Sequence, residues 1–208
     1  MYLVYTLNLS IILCFIKRTT VFFMKLYIKN MVCPRCIMAV KDILIRQGIC
    51  LLDVRLGEVI LAQELNKSQT EAFRSELESI GFELLDDNQQ QLIEQIKALI
   101  INYIHFAGES ESNISEILTR ELHKDYSALS KLFSATEGIT IEHYAILQKI
   151  EKVKELLTYN RQTLSEIAYA LGYSSVAHLS SQFKKVTGLT PTDFRSQGIG
   201  LRKSLDKI

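Results

Sequence analysis

The sequence predicts an α+β protein in which a small βαββαβ domain precedes an all-helical domain with two helix-turn-helix units. Alternating and helical apolar patterns follow one another over residues 24–87, as strands and helices do. Residues 110–208 instead contain one pattern twice, at an offset of fifty residues. A repeat at a fixed offset indicates a supersecondary unit that is present twice. Residues 88–109 lie between the two patterns and are interpreted as a linker helix followed by a flexible seam.

Residues 1–23 form an N-terminal apolar extension that fits neither pattern. Lys17 and Arg18 follow its apolar run, whereas a secretory signal has its positive charge before that run. The run is also short for a bilayer span, which takes about 20 residues. We therefore expect Met24 to be the native start, with a weak membrane anchor as the alternative. The expected compartment is the cytoplasm, which suits four cysteines without a regular disulfide framework.

The order of the patterns over residues 24–87 predicts a ferredoxin-like domain. Residues 25–31 alternate as a half-buried strand does, and a helical stripe follows them. Two short apolar runs on either side of Gly57 predict a hairpin. Ser68 is the predicted cap of a second helix that runs through Ile80, and a short strand ends the domain. Strand, helix, two strands, helix and strand within about 60 residues is the ferredoxin-like order.

Two cysteines, Cys33 and Cys36, lie where the first predicted strand meets the first helix. Residues 31–36, Met-Val-Cys-Pro-Arg-Cys, resemble the heavy-metal-associated domain of copper chaperones and transport ATPases. The resemblance implies that the two cysteines bind one soft metal ion such as Cu(I). Because a helix N-terminus lowers a thiol pKa and thiolates favour soft metals, the chemistry agrees with this expectation.

Other interpretations of the cysteine pair remain open. A tetrahedral zinc site needs about four ligands, and Cys50 lies beyond the far end of the helix, about 20 Å away by helical rise. Redox sensing by the pair is one alternative. A domain that only binds a protein partner or a neighbouring subunit is the other. The histidines, which all lie outside this domain, are His105, His123, His143 and His178.

The second copy of the repeat predicts two short helices joined by a tight turn. Thr163 is the predicted N-cap of the first helix, and Glu166 completes a capping box. Gly172 ends that helix. The first copy has the same pattern, with His-Lys-Asp at residues 123–125 and no turn glycine. Helix, turn and helix within about 25 residues is the helix-turn-helix signature.

The second helix of each copy leaves a polar face opposite its apolar stripe. In the second copy the i, i+4 and i+7 places of this face are His178, Gln182 and Lys185. They are paired with Ser127, Lys131 and Ser134 in the first copy. Hydroxyl, amide, imidazole and ammonium groups can donate to base edges or phosphates. Any solvated helix face has such residues, but two such faces in a duplicated unit favour the interpretation that they bind DNA. The predicted DNA-binding residues are Ser127, Ala128, Ser130, Lys131, Ser134, Ser175, His178, Ser181, Gln182, Lys184 and Lys185.

A strong helical pattern over residues 142–157 separates the two copies. About 16 residues of helix span about 24 Å, which makes a separation near one DNA turn, about 34 Å, plausible for the two units. From Gln148 to Ile208 there are ten Lys and Arg and five Asp and Glu, a net charge of +5 against +1 for the whole chain. A basic excess at one end of a chain is the expected footprint of nucleic-acid binding.

The C-terminal half resembles the AraC/XylS family of bacterial transcription regulators. The resemblance covers roughly residues 110–195 and is strongest over 166–175 (Glu-Ile-Ala-Tyr-Ala-Leu-Gly-Tyr-Ser-Ser) and 182–195. Residues 149–157 are similar to that family's linker helix. The resemblance implies a seven-helix DNA-binding domain with two helix-turn-helix units and an asymmetric DNA site.

These observations predict a sequence-specific transcription regulator that binds double-stranded DNA. An additional expectation is that the regulator responds to a metal through the cysteine pair. RNA polymerase is a further candidate partner. The alternative is a metal-binding or redox-sensing protein whose DNA-binding half only localises it. No nucleophile with a positioned base and no phosphate-binding glycine loop occurs in the sequence. We therefore expect no enzyme activity, no small-molecule substrate and no role for a membrane.

Overall fold

The computed structural model describes residues 23–106, 113–197 and 204–208. Contacts divide the chain into two compact units, Met1–Gln95 and Ile96–Ile208. The described residues are mostly helical, with one small sheet in the first unit. No helix in these described ranges has both the length and the apolar character that a membrane crossing requires. The predicted extension, residues 1–23, lies outside the described residues except for Phe23.

The first unit alternates strands and helices before it reaches its last helix. The four strands form one antiparallel sheet in the order β2-β3-β1-β4. In chain order the elements are β1 (Met24–Lys29), α1 (Pro34–Arg46), β2 (Leu51–Arg55), β3 (Glu58–Leu61), α2 (Lys67–Ser79) and β4 (Glu83–Leu85).

One face of this sheet packs against the two helices. On β1, Leu26 lies opposite Val59 and Ile28 lies opposite Leu84, and all four side chains are buried. Successive side chains of a strand point to opposite faces, so the alternation in the sequence places these residues in the core. The helical residues of the same core include Val40, Ile43, Leu44, Phe73 and Leu77.

The start of α2 differs from the sequence-based prediction. Asn66, not Ser68, is the N-cap, and the helix ends at Ser79, one residue before the predicted end. The Asn66 Oδ1 accepts from the Gln69 backbone N–H at 2.9 Å, and the Gln69 Oε1 accepts from the Asn66 N–H at 3.1 Å. This reciprocal capping box satisfies two donors that a helix start leaves unpaired, which explains why the helix begins at Lys67.

The second unit consists of helices that repeat at the same offset as the sequence. Corresponding helices begin at Ile114 and Leu164, at Tyr126 and Val176, and at Ile141 and Pro191. The helices are α4 (Ile114–Leu122), α5 (Tyr126–Glu137), α6 (Ile141–Tyr159), α7 (Leu164–Ala170), α8 (Val176–Thr187) and α9 (Pro191–Gln197), followed by a short 3-10 helix (Leu205–Lys207).

Each helix-turn-helix unit packs an aromatic pair beneath its second helix. In the second unit Phe183 of α8 meets Phe194 of α9 edge to face, with ring centres 5.5 Å apart. In the first unit Phe133 of α5 meets Tyr144 of α6, with ring centres 5.6 Å apart. All four rings are buried. The equivalent pairs, fifty residues apart, explain why the repeat in the sequence keeps its aromatic positions.

The helix between the sheet and the first repeat, α3 (Asn88–His105), begins in the first unit and ends in the second. Within the second unit, the Lys97 ammonium lies 2.8 Å from the Glu137 carboxylate at the end of α5. The His105 Nε2 lies 3.1 Å from the Oε1 of Gln148, which is fully buried on α6. Residues 96–105, which the sequence analysis placed in a linker, therefore contact the helices of the second unit.

Candidate nucleic-acid interface

Both helix-turn-helix units begin with the same capping arrangement. In the second unit the Thr163 Oγ1 accepts from the Glu166 N–H at 3.2 Å, and the Glu166 carboxylate accepts from the Thr163 N–H at 2.7 Å. The Thr163 hydroxyl also donates to this carboxylate at 2.8 Å. The hydrogen bonds that the Thr163 N–H and hydroxyl donate, the backbone one first, lower the pKa of the Glu166 carboxyl. The capping box predicted at Thr163 is therefore present. Asn113 and Glu116 form the equivalent box in the first unit, which the sequence analysis did not predict.

The turn between the two helices differs between the units. Gly172 has a φ of +70°, a left-handed conformation that glycine adopts without a steric penalty. In the first unit His123 ends α4 with a φ of +51°. The left-handed residue in the turn of the first unit is therefore a histidine, one position later in the repeat than Gly172. The absence of a turn glycine does not remove the turn.

The N-caps of α5 and α8 determine which residues of these helices correspond. The Asp125 Oδ1 accepts from the N–H groups of Ser127 and Ala128, and the Ser175 Oγ accepts from the His178 N–H. Because Asp125 and Ser175 both precede the first helical residue, residues fifty apart occupy the same place on the two helices.

This correspondence corrects the pairing of the two predicted faces. Ser127 corresponds to Ala177, and the set that begins at His178 corresponds to one that begins at Ala128. The pairing of the Ser127 set with the His178 set is therefore wrong by one residue, because it matched the spacing without the position of the N-cap. One residue on a helix is a rotation of about 100°. The true equivalents of Ser127, Lys131 and Ser134 are Ala177, Ser181 and Lys184.

The predicted interface residues all lie on α5, α8 and the residue that caps α8. Three of them, Ser130, Ser134 and Gln182, are half-buried. The exposed ones are Ser127, Ala128, Lys131, Ser175, His178, Ser181, Lys184 and Lys185. Ala177, which was not predicted, is also exposed at the start of α8.

A tyrosine in the turn of the second unit contacts two of these residues. The Tyr173 hydroxyl donates to the Gln182 Oε1 at 2.7 Å. Its ring meets the His178 ring edge to face, with ring centres 5.4 Å apart, and the His178 Nδ1 lies 3.1 Å from the Ser174 Oγ. Burial raises the pKa of Tyr173 to about 12. Two side chains of the predicted face are thus oriented by the turn that precedes their helix.

Lys149 of α6 also contacts this tyrosine. Its ammonium lies 5.6 Å from the centre of the Tyr173 ring and donates to the Leu171 carbonyl at the end of α7, at 2.9 Å. Burial lowers the pKa of Lys149. Sequence reasoning missed Lys149 and Tyr173. The only signal for them was a tyrosine directly after the turn glycine.

The first unit has His123 at the place of Tyr173, and its Tyr126 has a different contact. The Tyr126 hydroxyl, at the first position of α5, donates to the Glu142 carboxylate of α6 at 2.5 Å. Burial and this hydrogen bond raise the pKa of Tyr126, and the same hydrogen bond lowers the pKa of Glu142. The position that corresponds to Gln182 is Leu132, so this unit has no equivalent of the Tyr173–Gln182 pair.

A protein-family model described as a helix-turn-helix domain matches residues 118–197, which include most of α4 and the helices through α9. The C-terminal half contains a helix-turn-helix domain. This agrees with the resemblance found in the sequence, and with relatives that are transcriptional regulators.

Two relatives illustrate the extent of this similarity. The probable transcriptional regulator LumQ of Photobacterium leiognathi is 26% identical over 152 residues, which cover 69% of this chain and 61% of LumQ. The uncharacterised HTH-type transcriptional regulator YtdP of Bacillus subtilis strain 168 is 33% identical over 98 residues, which cover 47% of this chain. The chain spans 61% of the length of LumQ and 13% of that of YtdP.

Solved structures also resemble somewhat more than half of this chain. The C-terminal domain of AraT, a response regulator from Geobacillus stearothermophilus, is 25% identical with a TM-score of 0.45. The similarity covers 57% of this chain and 95% of that domain. A probable AraC family transcriptional regulator from Rhodopseudomonas palustris CGA009 is 20% identical with a TM-score of 0.42, over 56% of this chain and all of that one.

Outside the helix-turn-helix domain, the structure places the two predicted metal ligands together. The Sγ atoms of Cys33 and Cys36 lie 3.2 Å apart, and both thiols are half-buried. Cys33 is the N-cap of α1 but makes no side-chain capping hydrogen bond. Burial, followed by the hydrogen bond with Cys33, raises the pKa of the Cys36 thiol. The expected lowering by the helix start is therefore wrong for Cys36, because loss of hydration outweighs it.

The surroundings of the pair exclude a larger ligand cluster among the residues that the structure describes. No group of three or more His, Cys, Asp or Glu side chains within those ranges is placed to hold a metal ion. The two sulfur atoms fit an ion that accepts two thiolates, such as Cu(I). They do not supply the four ligands of a structural zinc site.

Proposed function

We propose that this protein is a sequence-specific, DNA-binding transcription regulator of the AraC type. Its two recognition helices, α5 and α8, enter successive major grooves of double-stranded DNA. The observation that supports the proposal most strongly is the duplicated unit, in which equivalent caps place residues fifty apart at the same positions of α5 and α8. Each helix then presents short polar and basic side chains on its exposed side.

The helix between the two units supports this geometry. α6 has 19 residues, which corresponds to a length of about 28 Å. Recognition helices in successive major grooves lie about 34 Å apart, so a helix of this length is a suitable spacer. The net charge of +5 from Gln148 onward adds attraction to phosphates.

The further partners and the compartment follow from this function. A DNA-binding regulator acts in the cytoplasm of a bacterial cell, and RNA polymerase is the partner through which it would change transcription. The proposal includes no enzyme activity and no small-molecule substrate.

The test is selection of bound sites from random duplex DNA by the full chain. We expect a site with two unlike half-elements whose centres are about one helical turn, 10 to 10.5 base pairs, apart. Lys131→Glu on α5 should weaken selection at one half-element, and Ser181→Glu at the equivalent place on α8 should weaken it at the other. A palindromic site, or the absence of any site, contradicts the proposal.

We also propose that the N-terminal unit is a ferredoxin-like, heavy-metal-associated-like domain that binds one soft metal ion through Cys33 and Cys36. The support is the 3.2 Å separation of two half-buried thiols where a loop meets α1. When bound, a soft ion would link the two thiolates and hold the loop to the start of the helix. In this second candidate function, metal binding makes the regulator responsive to the metal.

A further inference from the structure

The hydrogen bond between Tyr173 and Gln182 has a consequence for base recognition. A glutamine amide offers one acceptor oxygen and two N–H donors. Its bidentate contact with adenine uses both ends of the amide, the nitrogen donating to N7 and the oxygen accepting from N6. Both atoms must then face the same base. The Oε1 of Gln182 faces the Tyr173 hydroxyl at 2.7 Å.

We propose that Tyr173 determines the base specificity of Gln182 by holding its amide oxygen, so that the amide nitrogen of Gln182 faces the DNA as a hydrogen-bond donor. In the major groove guanine presents two acceptors, N7 and O6, whereas adenine presents one acceptor, N7, beside the N6 donor. Gln182 therefore selects guanine over adenine. This inference rests on the proposed DNA-binding function and names the specificity of one of its contacts.

The surroundings of Tyr173 keep its hydroxyl in place. Its backbone N–H donates to the Ala168 carbonyl at 2.9 Å, and the His178 ring packs against its edge. The Lys149 ammonium lies on its other side, 5.6 Å from the ring centre. Turning the amide so that its oxygen faces a base would break the hydrogen bond that the half-buried Tyr173 hydroxyl donates to that oxygen, at a cost in free energy. The amide is oriented before DNA binds.

The first unit provides a built-in contrast. Leu132 occupies the place of Gln182 and His123 that of Tyr173. The Tyr126 hydroxyl donates to Glu142 on α6. The tyrosine-held amide is therefore specific to the second unit. The two units recognise DNA with different chemistry, as an asymmetric site requires.

The experiment compares sites selected from random duplex DNA by the full-length protein and four variants. Gln182→Ala identifies the position that Gln182 contacts, because the base preference there is lost. The unmodified protein should prefer guanine at this position. Tyr173→Phe frees the amide oxygen and should shift the preference toward adenine by about fivefold or more, the lower limit for a bidentate contact. Tyr126→Phe, the matched control, should leave this position unchanged.

The fourth variant, Gln182→Glu, keeps Tyr173 and therefore tests the inference even if Tyr173→Phe unfolds. A carboxylate can accept from the Tyr173 hydroxyl but has no donor, so the preference for guanine should disappear. Retention of that preference in Gln182→Glu overturns the inference. So does an adenine preference in the unmodified protein, or an unchanged position in a folded Tyr173→Phe variant. Failure of the unmodified protein to select any site overturns the proposed function and this inference with it, whereas a selected site that Gln182→Ala leaves unchanged overturns the inference alone.

Discussion

The Lys149 ammonium lies 5.6 Å from the centre of the Tyr173 ring, so the helix between the two repeats contacts the turn of the second repeat directly. The same ammonium donates to the Leu171 carbonyl at 2.9 Å, which is one of the carbonyls that the end of α7 leaves without a helical partner. One side chain thus caps a helix and packs on an aromatic ring. We infer that Lys149 stabilises the orientation of the turn from which α8 begins.

Replacement of Lys149 by methionine tests this role. Lys149→Met keeps the length of the side chain but removes the hydrogen bond to Leu171 and the cation–π contact. The lost contacts are worth about 1 kcal/mol each, and relief of the buried charge offsets part of the loss. We expect the free energy of unfolding to fall by about 1 kcal/mol in urea titrations followed by circular dichroism. Lys185→Met, at an exposed position, is the control and should leave stability unchanged.

Alkaline pH should reveal the environment of Tyr173. Its folded-state pKa of about 12 exceeds the value of about 10 for an unperturbed tyrosine. Between these values the unfolded chain binds fewer protons than the folded one, so stability falls as pH rises from 10 to 12. Urea titrations at pH 9 and 11 should show that Tyr173→Phe loses less stability than the unmodified protein, by up to about 1 kcal/mol. The same difference in Tyr159→Phe, which alters an exposed ring, would contradict the assignment to Tyr173.

The two turns predict opposite responses to substitution. Gly172→Ala should destabilise the protein by about 1 kcal/mol, because its φ of +70° is strained for any residue with a side chain. An added Cβ would meet only the Lys149 Nζ at 4.0 Å, so steric clash does not contribute. His123→Gly should be neutral or stabilise by up to about 1 kcal/mol. Thermal unfolding measures both effects. The midpoint should fall for Gly172→Ala and should stay unchanged or rise for His123→Gly.

These turns show where sequence reasoning succeeds and where it fails. Thr163, Glu166 and Gly172 were predictable because caps and left-handed glycines depend on local backbone chemistry. His123 was not, because a left-handed histidine is stable only when the surrounding packing favours it. The repeat itself was visible because Phe133 and Phe183 must fill equivalent places in two cores.

The interface was predictable only in part for a similar reason. The positions of exposed residues on α8 follow from helical spacing, but the pairing of Ser127 with His178 failed because spacing alone does not locate an N-cap. The link between Tyr173 and Gln182 crosses a turn, and its formation depends on side-chain rotamers. Periodicity in a sequence contains no information on such rotamers.

Two substitutions on α8 should separate base contacts from phosphate contacts. His178→Ala should weaken binding to the selected site by about 1–3 kcal/mol and relax specificity at one position. Lys185→Ala should weaken binding to all sequences alike and reduce the slope of log K against log salt by about 1. Affinities measured at several salt concentrations on the selected site and on a scrambled site decide between these outcomes.

Lys67→Ala is the charge-matched control for that comparison, because it removes one exposed positive charge from the first unit. It should change neither specificity nor the salt slope by a comparable amount. If His178→Ala and Lys185→Ala both act uniformly across sequences, the exposed side of α8 that we assign to base contacts is not the side that faces the bases.

Metal uptake tests the proposed site at the start of α1. Cys33 and Cys36 supply two sulfur atoms 3.2 Å apart, so the full chain should bind one Cu(I) per chain under reducing conditions. Cys33→Ser should abolish this uptake, since a single thiolate remains. Met38→Leu removes an exposed thioether from the same helix and should leave uptake unchanged. Copper content after gel filtration in the presence of a competing Cu(I) chelator measures the stoichiometry.

Zinc distinguishes this site from its alternatives. Two protein ligands leave half of a tetrahedral shell to water, so Zn(II) should bind weakly to the chain. Tight uptake of one zinc ion per two chains would instead indicate four cysteines shared between two subunits. Uptake of neither metal would exclude metal sensing by this pair. The N-terminal unit would then be an interaction or redox-sensing domain, and reversible oxidation of Cys33 and Cys36 with a change in DNA affinity would separate those two roles.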